Sequence, residues 1–157
     1  MTGDLSIRPY LAADAPLLSA LYEASVRALG VRDYSAVQIE AWAALTPSAE
    51  ALEARMADGR SRLVAVMGDI AGFIDVEADG HIDLLYVAPA AAGCGVARTL
   101  LETAEAIARL SGARRLYAEA SETARPVFER LGYVTTARRD IEVAGVPIHN
   151  WAVEKAV

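Results

Sequence analysis

The sequence predicts an α/β (α+β) fold: a mixed, mostly antiparallel sheet flanked by helices, with one central βαβ crossover. Three observations carry this reading. Two short apolar runs, Leu63–Met67 and Ile70–Glu77, are separated by the hairpin signal Gly68-Asp69, and Asp79-Gly80 turns the chain again into His81–Val87. That third run leads through a glycine-containing turn into a long amphipathic segment and then the alternating Leu116, Ala118 and Ala120. A strand, helix and strand in that order form a crossover whose strands are parallel. Finally, Val134–Val143 and Ile148–Glu154 flank Ala144-Gly145 as a closing hairpin.

The elements follow in order. Leu5–Pro9 reads as a first strand. Asp14 and Pro16 start a helix whose stripe is Leu17, Leu18, Leu21, Ala24, Ser25 and Ala28, ending near Gly30. Ser35 caps a second helix carrying Val37, Ile39, Trp42 and Ala43, and Thr46-Pro47 opens a third that runs to about Ala57. Asp58-Gly59 turns into the antiparallel strands. After His81–Val87, Pro89 stops the ladder because it has no N–H to donate. Gly93 and Gly95 flank Cys94, and a helix begins with Val96, Leu100, Ala104, Ile107 and Ala108 on one face and Arg98, Glu102, Glu105 and Arg109 on the other. Gly112 ends that helix. Arg125–Leu131 is a short helix closed by Gly132.

The 157 residues fit one domain, 1–157, large enough to bury a core, and 54% hydrophobic content excludes disorder. A net charge of −6 without a Lys/Arg stripe argues against nucleic acid, whose binding rests on neutralised phosphates. An acidic chain attracts cationic small molecules instead. One cysteine allows no internal disulfide, which predicts a reducing, cytoplasmic setting. The start MTGDLSIRPY has no basic segment followed by an apolar run, so no secretion leader is expected. The apolar run Leu84–Ala97 is interrupted by Pro89 and two glycines and is shorter than the ~20 residues of a membrane helix, so no membrane partner is expected. No metal is expected.

A glycine turn at a helix start leaves main-chain N–H groups without partners at the positive end of the helix dipole, which suits a phosphate. A nucleoside triphosphatase needs a Lys after the second glycine, and none follows Gly95. A dinucleotide-binding module needs G-x-G-x-x-G; Arg98 occupies the third glycine position, although Glu119 ends the next strand where a ribose-binding acid would stand.

A third reading covers more of the chain. From Leu84, LLYVAPAAAGCGVARTLL resembles the acyl-CoA loop of the GNAT superfamily of N-acetyltransferases, a strand followed by Q/R-x-x-G-x-G/A and an apolar helix, with Ala92, Gly95 and Ala97 at the matching positions. Phe128-Glu129-Arg130-Leu131-Gly132-Tyr133 resembles that family's second element, at the usual distance downstream. Tyr34-Ser35, Ala41-Trp42-Ala43, His81-Ile82-Asp83 and Ala120-Ser121 with Ala124-Arg125-Pro126 are similar to a bacterial branch of the superfamily. There are two departures. Ala92 replaces a Gln or Arg that contacts the cofactor, and Phe128 replaces a Tyr that serves the leaving thiol as acid. These departures leave a non-catalytic acyl-CoA sensor on the same fold as an alternative to an enzyme.

The resemblance implies acetyl-CoA, with its diphosphate on the N–H groups of Gly93, Cys94, Gly95, Val96, Ala97 and Arg98. It implies that pantetheine pairs with exposed backbone at Leu85, Tyr86 and Val87, where the Val87 N–H polarises the acetyl carbonyl. Ser121 meets the pantetheine or caps the Arg125 helix. Arg98, Arg125 and Arg130 are candidates for CoA phosphates, and Phe128 borders the thiol. Cys94 has no flanking base and reads as a small loop filler rather than a nucleophile.

The implied reaction is transfer of an acetyl group to a primary amine by direct attack in a ternary complex. An alkyl ammonium of pKa ~10 must lose a proton first. In a period-two strand His81, Asp83, Leu85 and Val87 share one face and Ile82, Leu84 and Tyr86 the other. Asp83 is the candidate base or the anchor of a water relay, with His81 beside it. A thiolate leaving group needs little acid help; Tyr34, Tyr86 or Tyr117 can take that part. Tyr34 and Trp42 either line an amine pocket through cation–π contact or belong to the core. Asn150 is a substrate contact on the resemblance alone. The acceptor is a small-molecule or peptide amine, and the protein a monomer or a homodimer paired through edge strands near the C-terminus.

Overall fold

The computed structural model describes residues 3–157. Seven strands, β1 (Ser6–Pro9), β2 (Ser61–Met67), β3 (Asp69–Val76), β4 (His81–Val87), β5 (Arg115–Ala120), β6 (Val134–Val143) and β7 (Val146–Ala156), form one sheet in the order β1-β2-β3-β4-β5-β7-β6. Only β4 and β5 run parallel. Helices α1 (Ala15–Leu29), α2 (Ala36–Ala43) and α3 (Ala49–Arg55) precede the hairpins; α4 (Val96–Leu110) is the crossover and α5 (Arg125–Arg130) follows β5.

Two cores sit on opposite faces of the sheet. On one, Val96, Leu100, Leu101, Ala104 and Ala108 of α4 pack against Leu63, Ala65, Ile74 and Ile82. On the other, Leu18, Leu21, Tyr22 and Val26 of α1 meet Val64, Phe73 and Leu84. Leu100 is fully buried, so truncating it to Ala would cost about 2–5 kcal/mol.

Helix phases differ in detail from expectation. On α1 the buried stripe is Leu18, Leu21, Tyr22, Ser25 and Val26; Leu17, Ala24 and Ala28 face water, a rotation of about one residue. On α4 Leu101 joins the core, and Ile107, expected there, packs against it half-buried. Glu105, expected on the polar face, is buried because Lys155 Nζ reaches both its oxygens at 3.1 Å. The third helix starts at the Ser48 cap, whose Oγ accepts from Ala51 N–H. Thr46 instead closes α2, its hydroxyl donating to Ala43 O.

Two features of β4 position the site. Pairing with β3 skips from Asp75↔Leu84 to Val76↔Ile82, leaving Asp83 as the extra residue of a bulge. The bulge breaks the expected alternation: Ile82 packs with Leu85 and Val87 on the α4 face, while Leu84 and Tyr86 pack on the α1 face. Beyond it β4 loses its other neighbour. Pairing with β5 covers only His81↔Tyr117 and Ile82↔Ala118, after which the two strands part.

Candidate active site

The turn between β4 and α4 closes on itself through the Ala91, Ala92 and Cys94 amides, which donate to Ala88, Pro89 and Ala91 O; the expected diphosphate contact of Cys94 is thereby lost, and the amides beyond it stay free. Pro89–Ala91 forms one 3-10 turn, and Gly93 (φ +76°) and Gly95 (φ +82°) adopt left-handed backbone that glycine enters without strain. A Cβ at either glycine would meet nothing within 4 Å, so the space above them is open. Gly95 is the N-cap and supplies no side-chain bond to the helix start. The first main-chain bond there runs from Thr99 N–H to Gly95 O at 3.0 Å. The amides of Gly95, Val96, Ala97 and Arg98 therefore precede the helical ladder and point at open space.

This turn opens into a cavity of about 920 Å³ that follows the gap between the parted strands. Leu85, Tyr86 and Val87 line it from β4, Glu119 and Ala120 from β5, and Ser121, Phe128 and Arg130 from beyond. Gly93, Gly95, Val96, Ala97 and Arg98 border its mouth. Ser121 Oγ also accepts from Ala124 N–H at 3.0 Å, so it caps the turn into α5. Phe128 is buried edge-on to Tyr133. Two expected cofactor residues stand apart. The Cys94 side chain is exposed outside the cavity. Arg125 is drawn away by Glu129 at 2.8 Å and by the Trp151 ring, 3.9 Å below its guanidinium.

At the far end the cavity meets aromatic side chains. Trp42 stands edge-on to Tyr34 with centroids 5.4 Å apart, and its indole N–H donates to Tyr86 Oη at 3.4 Å. Tyr34 Oη donates to His149 O at 2.9 Å and accepts from Glu122 N–H at 2.8 Å. Burial pushes the phenol pKa of Tyr34 up, and that of Tyr86 further. Tyr34, Trp42 and Asn150 all line the cavity; Asn150 Oδ1 accepts from Arg139 at 3.0 Å. Tyr117 does not: its hydroxyl donates to Asp79 on the exposed rim.

Asp83 and His81 stay near each other but have different partners, and only Asp83 lines the cavity. Asp83 lines the cavity, and its Oδ2 accepts from Arg60 at 2.7 Å and from Arg55 at 3.5 Å. Arg60 in turn reaches Asp75, which Arg62 also clasps, and neither Asp75 nor Arg62 is exposed. His81 is a correction, because it lies outside the cavity with both ring nitrogens taken by carboxylates, Glu77 at 2.8 Å and Glu119 at 2.6 Å. Burial lowers its pKa, but the bonds to Glu77 and Glu119 outweigh burial and hold it above the usual histidine value. With both ring nitrogens engaged, His81 offers no free lone pair to an incoming proton. The ligating atoms of Glu77, His81 and Asp83 lie within 4.8 Å of one another, but the Arg60 guanidinium already occupies Asp83.

The structure adds a pair that the sequence reading missed. His149, on β7, lines the cavity, and its Nε2 lies 2.8 Å from Glu122 Oε2. The Trp151 indole N–H donates to the same oxygen. These bonds, from Trp151 and then His149, hold Glu122 below the usual carboxylate range. An ionised carboxylate only accepts, so Nε2 carries the hydrogen and Nδ1 is the basic nitrogen. Glu122 and His149 are 27 residues apart on separate elements; the one available signal was the place of His149 beside Asn150 in an alternating strand.

The model of the acetyltransferase (GNAT) domain family matches residues 31–155. The uncharacterized N-acetyltransferase YafP of Escherichia coli is 29% identical over 149 residues, 95% of this chain and 94% of that one. A GCN5-related N-acetyltransferase from Rhodopseudomonas palustris superimposes with a TM-score of 0.90 at 34% identity, covering 100% of this chain and 98% of that one. The PaiA N-acetyltransferase of Thermoplasma acidophilum, solved in complex with coenzyme A, gives 0.77 at 20% identity, covering 98% and 99%. Among the described residues no helix is long and apolar enough to cross a membrane. With its parted parallel strands, its open glycine turn and these matches, the chain belongs to the acetyltransferase (GNAT) family.

Proposed function

We propose that residues 1–157 act as one N-acetyltransferase domain that moves an acetyl group from acetyl-CoA to a primary amine by direct attack in a ternary complex. The observation that carries this reading is the continuity of one cavity, from the bare amides at Gly95–Arg98, along the gap between β4 and β5, to Tyr34 and Trp42. A donor with a diphosphate at one end and an extended arm at the other fits such a channel, and a second reactant enters from the aromatic end. The acetyl-CoA complex of YncA from Salmonella typhimurium shares the fold, with a TM-score of 0.72 at 22% identity.

Acetyl-CoA supplies an activated acetyl thioester. The chain does the rest. The amides of Gly93 and of Gly95 through Arg98 would bind the diphosphate with help from the α4 dipole, while the Cys94 amide donates to Ala91 O within the turn. The unpaired edge of β4 at Leu85–Val87 gives main-chain partners to the pantetheine arm, and the Val87 N–H is the donor for the oxyanion. Asp83, held by Arg60 and Arg55 in the cavity wall, orients the incoming amine. His149, oriented by Glu122, accepts the proton at Nδ1. No acid is required from Phe128, because a thiol of pKa ~8.5 leaves as thiolate.

Calorimetric titration with acetyl-CoA, followed by thiol release in the presence of amines, tests the proposal. Saturable binding and amine-dependent release are expected. Absence of binding overturns the proposal, and binding without release by any amine favours a sensor.

A further inference from the structure

We infer that the acceptor is a monoamine with an apolar body and no carboxylate. This rests on the acetyl-transfer reading and goes beyond it in naming what the aromatic end admits.

The walls of that end are mostly apolar. Leu29 of α1, Trp42 of α2 and Leu45 in the turn after α2 close it on one side, and Ile141, Val143 and Ile148 close it from the β6–β7 hairpin. Such a lining rewards an alkyl or aryl body and penalises a buried charge that finds no partner.

The carboxylates of the cavity are already paired. Two carboxylates line the cavity, Asp83 and Glu119. Glu119 Oε2 is taken by His81 at 2.6 Å. Asp83 Oδ2 is taken by Arg60 and Arg55, and Oδ1 has no partner among the described residues. Each of the two carboxylates is thus already held by a cationic side chain of the protein itself. The cluster behind it is balanced, with Asp58, Asp75 and Asp83 against Arg55, Arg60 and Arg62. The surplus ammonium groups of polyamines and aminoglycosides would find no unpaired carboxylate against an apolar wall, so both classes are disfavoured. The same balance favours the neutral form of a bound amine, which is the form that attacks.

Carboxylate-bearing acceptors are disfavoured for the opposite reason. Arg98 and Arg130, the arginines lining the cavity, belong to α4 and α5 at the donor end. At the acceptor end no lysine or arginine lines the wall among the described residues, so the carboxylate of a free amino acid is left without a Lys or Arg counter-ion.

The test uses the intact chain at saturating acetyl-CoA. Calorimetry first measures acetyl-CoA binding; thiol release is then followed with 2-phenylethylamine, hexylamine, spermidine and leucine. We expect kcat/KM for the two apolar monoamines to exceed that for spermidine and leucine by about 100-fold. Trp42→Ala should raise KM for the monoamines about 10-fold while acetyl-CoA affinity stays within about twofold. Leu45 is 55% exposed, so Leu45→Glu keeps the fold; it should narrow the gap between hexylamine and spermidine about 10-fold. Equal or better turnover of spermidine or leucine overturns the inference. So does failure of both monoamines while acetyl-CoA still binds. Loss of acetyl-CoA binding instead removes the acetyl-transfer reading beneath it.

Discussion

Arg60 Nη1 donates to Asp83 at 2.7 Å and to Asp75 at 2.9 Å, so one guanidinium joins the sheet core to the wall of the cavity. Its side chain is 6% exposed, and Asp75 behind it is sealed. Breaking a buried pair from one side leaves an uncompensated charge, which costs more than the pair itself contributes.

Arg60→Leu should therefore lower unfolding stability by about 3 kcal/mol in urea titration. Arg27→Leu, at an exposed pair with Glu23 and Glu40, should leave the midpoint unchanged. Equal midpoints for Arg60→Leu and wild type would show that the buried cluster is not structural.

The chain has two histidines, so imidazole NMR resolves each. The bonds from Glu77 and Glu119 keep His81 protonated in the folded state above the pH at which the unfolded residue titrates. Its contribution to stability is whole below about pH 6.5 and is lost as pH rises through the higher folded value. His81→Gln should thus be most destabilising at mildly acidic pH, and the His81 resonances should titrate above the usual histidine value. A midpoint at or below that value contradicts the clasp.

Tyr34 joins three segments through one hydroxyl. Tyr34→Phe leaves Glu122 N–H without its partner and should cost about 2 kcal/mol in thermal or urea unfolding. A change under about 0.5 kcal/mol would mean that the amide finds another acceptor.

His149→Gln and Glu122→Gln should each lower kcat about 100-fold, with acetyl-CoA affinity unchanged within about twofold. Both variants should recover as pH rises and free amine accumulates, while the wild type reaches its plateau earlier. Unchanged kcat in His149→Gln, with Asp83→Asn inactive, would return the proton to Asp83.

Much of this was legible along the chain, and the limits have physical causes. The crossover, the hairpins and the glycine turn are written in local chemistry: alternation, turn residues and a helix start. The phase of α1 was not, because Leu17 and Leu18 are equally apolar and only packing against Phe73 and Leu84 decides between them. The partners of His81 and Asp83 escaped for a similar reason. A bulge at Asp83 leaves no mark on composition, yet it breaks the alternation and sends the two residues to different partners. Glu122 and His149 meet only because β7 inserts between β5 and β6.

The most direct measurement is calorimetric titration of acetyl-CoA into wild type and Ala97→Trp. Ala97 lies in the first turn of α4 with ordinary helical backbone, so the substitution blocks the approach to the open amides without straining the turn. The account predicts saturable binding by the wild type and at least about 100-fold weaker binding by Ala97→Trp, with matching circular dichroism. Equal affinity in the two proteins would mean that no diphosphate rests at the start of α4.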